Sequence, residues 1–534
     1  MKGPPYAQAM TSGELPIPEK NLRLGEFVGT LALAQDNAFG QPLESQLRSC
    51  LLAAWLTEAA GYDPAIRETA YWVALLRYIG CTGHAHEVAT VFGDEIAIRA
   101  QTLVHDAGNP AEVMRDVIAY ATVGRPQSER DQIVAMIQQT AHEWAVHNFA
   151  SGCEVGDMLV RRLDFGAAVR DSLRFTFERW NGNGFPAHAA GEAIPLPMRV
   201  VHLTHDMEAI ARIFSPARAI EAARDRRDRT YDPAVTDVFL AHGDEWLSRL
   251  ATIDPWDAVL DLEPTPRRML AGAALDDALE VAADFIDLKS PYTMGHSRRC
   301  AELASDAAHV LGLTDDTATM LRRAALVHDF GTTAVPNSIW DKPAPLTRAE
   351  FDRVELHTML TEQMLRRSTA LAGLSPAAAA HHERCNGSGY HKRLGTDSVD
   401  PAAWVLAAVE VYAGMTRERA DRPPLRTDDA AAELRRLASE GRLEPRAVRA
   451  VLVAAGHGEA SPVAERRPKH PAGLSGREVE VLRLAARGLT TREIALRLDI
   501  SAKTADHHIQ HIYNKISVST RAAAALWATQ HQVA

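Results

Sequence analysis

The sequence predicts an all-α protein: two related helical domains in tandem, followed by a small C-terminal four-helix domain. Three observations carry that reading. From Leu22 onward Ala, Leu, Arg and Glu dominate, apolar residues recur at spacings of three and four, and no run alternates with period two. Pro- and charge-rich breaks fall at Leu262-Glu263-Pro264-Thr265-Pro266 and between Gly456 and Gly473. The two long pieces so delimited also repeat one another.

Taken in order, residues 1–20 are Pro-rich and expected to be disordered. Residues 21–262 and 263–455 are the two helical domains, 456–472 a linker, and 473–534 the small domain. A chain of 534 residues is too long for one core. No apolar run reaches the ~18 residues that span a bilayer, and the stretch after Lys2 lacks the apolar segment of a signal peptide. Five scattered cysteines without a Cys-x-x-Cys pair argue against a disulfide framework or a structural zinc site. A cytoplasmic location without membrane contact is the expectation. The net charge of −11 is unevenly spread. From Arg466 onward eleven Lys/Arg face five Asp/Glu, a local +6, which leaves −17 for the remainder. An acidic body with a basic tail suits a sensor or enzyme joined to a nucleic-acid-binding module.

The repeat is read from two alignments. Ala74-Leu75-Leu76-Arg77-Tyr78-Ile79-Gly80 matches Ala325-Leu326-Val327-His328-Asp329-Phe330-Gly331 at an offset of 251, which also pairs Asp36 with Asp287, Arg48 with Arg299 and Ser45 with His296. Glu178-Arg179-Trp180-Asn181-Gly182-Asn183-Gly184-Phe185 matches Glu383-Arg384-Cys385-Asn386-Gly387-Ser388-Gly389-Tyr390 at an offset of 205. One connection of different length reconciles the two.

Chemistry separates the copies. The second gathers His296, His328-Asp329, His357, His381-His382 and Glu410, imidazoles and carboxylates suited to first-row divalent ions. The first has Ser45, Arg77-Tyr78, Gly152 and Thr176-Phe177 at the matching positions, with only Asp206 near the Glu410 position. It reads as structural or ligand-sensing. His105-Asp106 reads as a helix-end pair on the surface, and His84 and His86 as polar-face residues.

On these residues the second copy, over about 270–455, resembles the HD superfamily of metal-dependent phosphohydrolases in its HD-GYP branch. His381-His382-Glu383-Arg384-Cys385-Asn386-Gly387-Ser388-Gly389-Tyr390 is similar to that branch's signature, and the first copy is a degenerate version. The resemblance implies two divalent ions (iron, manganese or zinc), with Asp329 bridging and His296, His328, His357, His381, His382 and Glu410 completing the shells. Such paired ions serve in-line attack on a phosphodiester, with His328 and Asp329 at the catalytic centre. Gly387 and Gly389 would turn a loop tightly beside the site, and Tyr390 would face the nucleotide or pack the loop. The sequence departs from the family at Thr332, where a phosphate-contacting lysine is usual. Further departures are Asn386, His391, Glu410, Ala413 and Tyr292. Arg384 and Lys392 are the cations at hand to replace the missing lysine.

At the C-terminus, Ser475 with Glu478 and Thr490 with Glu493 form capping boxes, stapled by Leu474–Val479 and Leu489–Ile494. Gly488 closes the first helix and Ser501 opens the third. The stretch from Leu474 to Arg521 resembles the LuxR-type helix-turn-helix domain nearly end to end. The resemblance implies that the helix beginning near Ser501 enters the major groove of double-stranded DNA, with Lys503, Thr504, His507, His508 and Lys515 at phosphates or bases. Asp506 stands where lysine is common. Dimerisation around Ala522–Trp527 is implied as well, giving a homodimer. The expected function is a DNA-binding regulator whose HD-type domain senses or hydrolyses a phosphorylated, nucleotide-like ligand. The alternatives are a phosphodiesterase first, with DNA binding secondary, and a non-catalytic metal or nucleotide sensor.

Overall fold

The computed structural model describes residues 21–458 and 470–533, so the 1–20 segment and most of the 456–472 linker lie outside the described residues. The described parts form two compact units. One comprises residues 21–23, 269–335 and 339–473, and the other 24–268, 336–338 and 474–533. The architecture is all-helical. The only strands among the described residues are Asn21–Arg23 and Met269–Ala271, a three-residue antiparallel pair.

Internal geometry establishes the repeat. The helices Leu24–Ala38, Ser45–Ala59 and Pro64–Leu76 of the first copy have counterparts of equal length in Ala273–Asp287, His296–Val310 and Asp315–Val327. Each copy then runs a largely buried helix through its core, Leu196–Ile213 or Ala403–Thr416; the second is nearly all apolar, whereas the first buries polar residues as well, among them His202, His205, Asp206 and Glu208. The change of offset falls in one place. Between the matched halves the first copy inserts helices Ala85–Phe92, Glu95–Thr102 and Pro110–Thr122 and the start of Gln127–Arg162, a 36-residue helix. The second copy has the four-residue helix Asn337–Trp340 and the 18-residue helix Arg348–Leu365 there.

Two devices recur in both copies. A carboxylate clamps the signature loop: Glu383 accepts from the backbone N–H of Lys392 (2.9 Å) and Leu394 (2.8 Å), and Glu178 from Ala187 (2.7 Å) and Ala189 (2.9 Å). A glycine also permits backbone-to-backbone approach. A Cβ on Gly331 would lie 1.9 Å from the His357 carbonyl oxygen, and one on Gly80 would lie 1.8 Å from that of Gly152. The close approach seats the turn Phe330–Ala334 against the helix Arg348–Leu365, where the Thr361 hydroxyl accepts from Gly331 N–H and donates to the His328 carbonyl, both at 2.9 Å.

The C-terminal domain has helices Gly476–Ala486, Thr491–Arg497, Ala502–Ile516 and Arg521–Gln530. Both capping boxes form as the sequence implies, and Ser501 caps the third helix. Ala505, Ile509, Ile512 and Ile516 make the buried stripe of that third helix. Within the same unit the domain rests on the first copy. Glu154, on the helix Gln127–Arg162, accepts from the N–H (2.7 Å) and hydroxyl (3.0 Å) of Ser519, and a Cβ on Gly83 would lie 3.4 Å from Ala522 Cβ.

Gly331→Ala forces two backbones apart, so it is expected to destabilise the second copy by at least about 1–3 kcal/mol, read as a lower urea midpoint. Gly476→Ala, whose added carbon meets nothing within 4 Å, is the control and should stay within about 0.5 kcal/mol of wild type.

Candidate metal centre

The helix Asp315–Val327 ends on His328, and Asp329 opens the turn that follows. His296 begins its helix after Gly295, which holds the left-handed conformation (φ 68°). His357 comes from Arg348–Leu365, His381 follows Ser375–Ala379, and Glu410 lies on Ala403–Thr416. Five segments far apart in sequence thus converge on one buried point. His296, His328, His357 and His381 are fully buried, Asp329 and Glu410 nearly so.

Three of the imidazoles share one orienting device. Nδ1 of His328, His357 and His381 lies 2.7, 2.5 and 2.5 Å from the carbonyl oxygen three residues earlier, at Ala325, Val354 and Ala378. A carbonyl only accepts, so each Nδ1 carries a proton and each ring turns its Nε2 inward, as a lone pair wherever the ring is neutral. Nε2 of His357 and of His381 face each other at 3.1 Å, and each is 3.5 Å from Asp329 Oδ1. His328 Nε2 is 3.4 Å from Asp329 Oδ2 and 3.5 Å from Glu410 Oε2, which is itself 2.8 Å from His296 Nε2. His328 Nε2 and Asp329 Oδ1 are buried and have no hydrogen-bond partner. Opposed lone pairs and unpaired acceptors in a buried site are costly unless a cation sits among them.

Charge gives the same answer. Burial holds His296 and His357 down to about 4 and His382 well below its ordinary value, so these rings are neutral and available as ligands. Burial pushes the carboxyls of Asp329 and Glu410 up, but the surrounding histidines outweigh it and hold both well below the usual carboxylate range. At His328 burial works against the proton, yet the two carboxylates win and raise it to about 9. The centre therefore draws in positive charge. Its ligand atoms fall into three overlapping sets, each close enough to share an ion: His296, Cys300, His328 and Glu410; His328, Asp329 and His381; and His357, His381 and His382.

The other residues singled out in the sequence lie around this point. Tyr390 stacks on His382, ring centroids 4.7 Å apart, and Gly387 holds φ 73° in the loop beneath it. Gly389 packs so tightly that an added Cβ would be 2.4 Å from Glu383 Cα. Arg384 folds back onto the carbonyls of His381 and Glu383, and the Lys392 ammonium pairs with Glu362 at 2.6 Å, so both cations already have protein partners. Two neighbours carried no sequence signal strong enough to single them out. Cys300 follows His296 by one helical turn, and its sulfur lies 3.7 Å from that ring's nitrogens. Lys289, donating to the Val335 carbonyl at 2.6 Å, lines a cleft with Asp287, Asp329, Thr332 and Trp340. It places a cation beside the position where Thr332 lacks one.

In the first copy a hydrogen-bonded network occupies the equivalent point. Tyr78, in the Asp329 position, is 3.2 Å from His205 Nε2; His205 Nδ1 is 3.2 Å from Asp206, which also accepts from Tyr231 at 2.9 Å. Burial raises the Asp206 carboxyl, but the His205 bond and the guanidinium groups of Arg179 and Arg77 hold it well below its ordinary range. Arg77, in the His328 position, is buried and donates to the Val201 carbonyl. Two readings of this copy are corrected. Asp106 is not a surface residue: it is 2 % exposed, paired with Arg229 at 2.6 Å and bonded to Thr230. His84 is likewise buried, its ring filling the space beside Gly152.

In the C-terminal domain Lys503, Thr504, Asp506 and His507 lie exposed along the helix Ala502–Ile516, and His508 is half-buried. Lys515 pairs with Glu478 at 2.8 Å.

Comparison with known proteins assigns both parts. Residues 280–447 match the HD domain, and residues 472–528 match the bacterial regulatory proteins of the luxR family. The chain thus contains an HD domain and a C-terminal luxR-type domain. It is similar to the 3'3'-cGAMP-specific phosphodiesterase 3 of Vibrio cholerae, with 28% identity over 426 residues that cover 78% of this chain and 91% of that protein. That length exceeds one HD domain. A crystal structure of a cyclic GMP-AMP specific phosphodiesterase of V. cholerae superposes with a TM-score of 0.57 at 25% identity, covering 82% of this chain and 98% of that one. A cyclic di-GMP phosphodiesterase of Pseudomonas aeruginosa is 34% identical over 167 residues, 31% of this chain and 40% of that protein.

The purified protein is expected to carry divalent metal by mass spectrometric analysis, and the double variant His328→Ala/Asp329→Ala to lose it. Equal metal content in both would contradict this assignment.

Proposed function

We propose that the chain is a metal-dependent phosphodiesterase of a cyclic dinucleotide, joined to a domain that binds double-stranded DNA, so that it acts as a regulator tied to a nucleotide signal. The observation that carries the reading is the buried convergence of Nε2 lone pairs on Asp329, present in one copy and replaced in the other. Relatives named for 3'3'-cGAMP and cyclic di-GMP supply the ligand class.

His296, His328 and Glu410 would hold one divalent ion and His357, His381 and His382 the other, with Asp329 between them. Such a pair supplies Lewis acidity at phosphorus and an activated water. The chain's own contribution is position and charge. The carbonyls of Ala325, Val354 and Ala378 fix the tautomers, so no reorganisation is needed when ligand arrives. Lys289 provides positive charge in the wall of the cleft, in place of the lysine that Thr332 lacks. Tyr390 presents an aromatic face at the rim.

A non-catalytic sensor is favoured by one set of observations, the substitutions Thr332, Asn386 and Ala413. Incubation with 3'3'-cGAMP and with cyclic di-GMP in the presence of ferrous iron, zinc or manganese, each in turn, separates the readings. Hydrolysis to linear product, reduced at least about 100-fold in Asp329→Ala, is the expected result; tight binding without turnover at full metal occupancy would establish the sensor.

On the DNA side, we propose that Lys503, Thr504, His507 and His508 face the duplex, Lys515 lies at its edge, and the helix Arg521–Gln530 pairs two copies. Lys503→Ala should weaken binding of DNA duplexes and reduce the slope of log affinity against log salt by about 1. An unchanged slope would remove Lys503 from the phosphate contacts.

A further inference from the structure

We infer that Cys300 is a thiolate ligand of one ion of the centre, which makes that position a sulfur-containing site of His296, Cys300, His328 and Glu410. The inference rests on the metal-dependent reading above and adds a residue that neither spacing nor motif singles out.

Four observations carry it. Cys300 lies one turn after His296 on the same helix, so both side chains project from one face, and it is completely buried. Its sulfur is 3.7 Å from His296 Nε2 and 3.8 Å from Glu410 Oε2. Two further edges are 2.8 Å from His296 to Glu410 and 3.5 Å from His328 to Glu410, and all four ligand atoms lie within 4.8 Å of one another. An ion with nitrogen or oxygen ligands at about 2.0–2.1 Å and sulfur at about 2.3 Å, arranged tetrahedrally, needs edges of roughly 3.3–3.7 Å. Both Cys300 edges and the His328–Glu410 edge lie close to that figure, and the 2.8 Å His296–Glu410 contact would open to admit the ion. Independently, His328 Nε2 is buried, unpartnered and aimed into the same space. Finally, the copy without the histidine ligands has Ser49 at the matching position, where its hydroxyl donates to the Gln46 carbonyl at 3.1 Å.

The consequence is a centre with two unlike halves. The half with Cys300 is soft and selects zinc or ferrous iron; the half with His357, His381 and His382 contains no sulfur. Thiolate disfavours magnesium and manganese at the first position, whereas imidazole is indifferent among zinc, iron and nickel. When an ion binds, the thiol proton leaves to solvent and a metal–sulfur bond forms, with no change of oxidation state.

The full-length protein, stripped by chelator and reloaded with cobalt(II), tests this. Wild type is expected to show a thiolate-to-cobalt charge-transfer absorption in the near ultraviolet together with visible ligand-field bands. Cys300→Ser should lose the former and keep the latter, while Cys385→Ser keeps both. Ligand-field bands without charge transfer in wild type would overturn the thiolate and leave the metal centre standing. Charge transfer that survives in Cys300→Ser would overturn it as well. Failure of wild type to bind cobalt or zinc at all would remove the metal reading itself. Should Cys300→Ser not fold, X-ray absorption of the zinc-loaded wild type decides. A sulfur scatterer at about 2.3 Å supports the assignment, and a shell of only nitrogen and oxygen at about 2.0–2.1 Å overturns it.

Discussion

The hydrogen bonds from the Nδ1–H groups of His328, His357 and His381 to the carbonyls of Ala325, Val354 and Ala378 are the constraint on which the second copy depends. Each fixes a ring by its own backbone, three residues back, without help from another side chain. Once fixed, the rings turn lone pairs inward, where no protein donor meets His328 Nε2 or Asp329 Oδ1. Burial keeps His296 and His357 from resolving the conflict by protonation. Folding alone thus produces a buried site with unpaired acceptors, whose donor set is of the kind that a divalent cation completes.

The first copy shows how the same scaffold closes when that constraint is lifted. With Arg77 and Tyr78 in the positions of His328 and Asp329, a fixed guanidinium supplies the charge and Tyr78, His205, Asp206 and Tyr231 satisfy one another. Gly152 replaces His357, and the His84 ring takes up the space left beside it. These residues interlock: an arginine in place of a ligand histidine is tolerable only because Asp206 is ionised beside it.

Much of this was legible in the residues. Ligand spacing located the centre, the two offsets exposed the repeat, and the capping boxes at Ser475 and Thr490 outlined the C-terminal helices, because each depends on contacts a few residues apart or on a fixed register. What escaped depends on distant backbone. Cys300 reads as one of five unrelated cysteines until Glu410 is folded against it. Lys289 has no periodic or motif signal, and only the turn that carries Thr332 brings it to the cleft. Asp106 looks solvent-facing in sequence, since its partners Arg229 and Thr230 follow more than a hundred residues later. The fall in offset from 251 to 205 already makes the first copy the longer between its matched segments; the structure shows where the extra chain goes, into helices before and within Gln127–Arg162.

The carboxylate clamp has a consequence for how such chains are recognised. Glu178 and Glu383 bind the same two backbone N–H groups of the same loop, although only one loop directly follows a pair of histidines, His381-His382. Of the ten residues from His381 to Tyr390, the first two therefore report chemistry and the rest report architecture. A glutamate-glycine-aromatic pattern in a genome marks a place where this loop folds, and is silent on whether anything is cleaved there. The two copies part just upstream of the clamp, where His381 and His382 stand in one and Thr176 and Phe177 in the other.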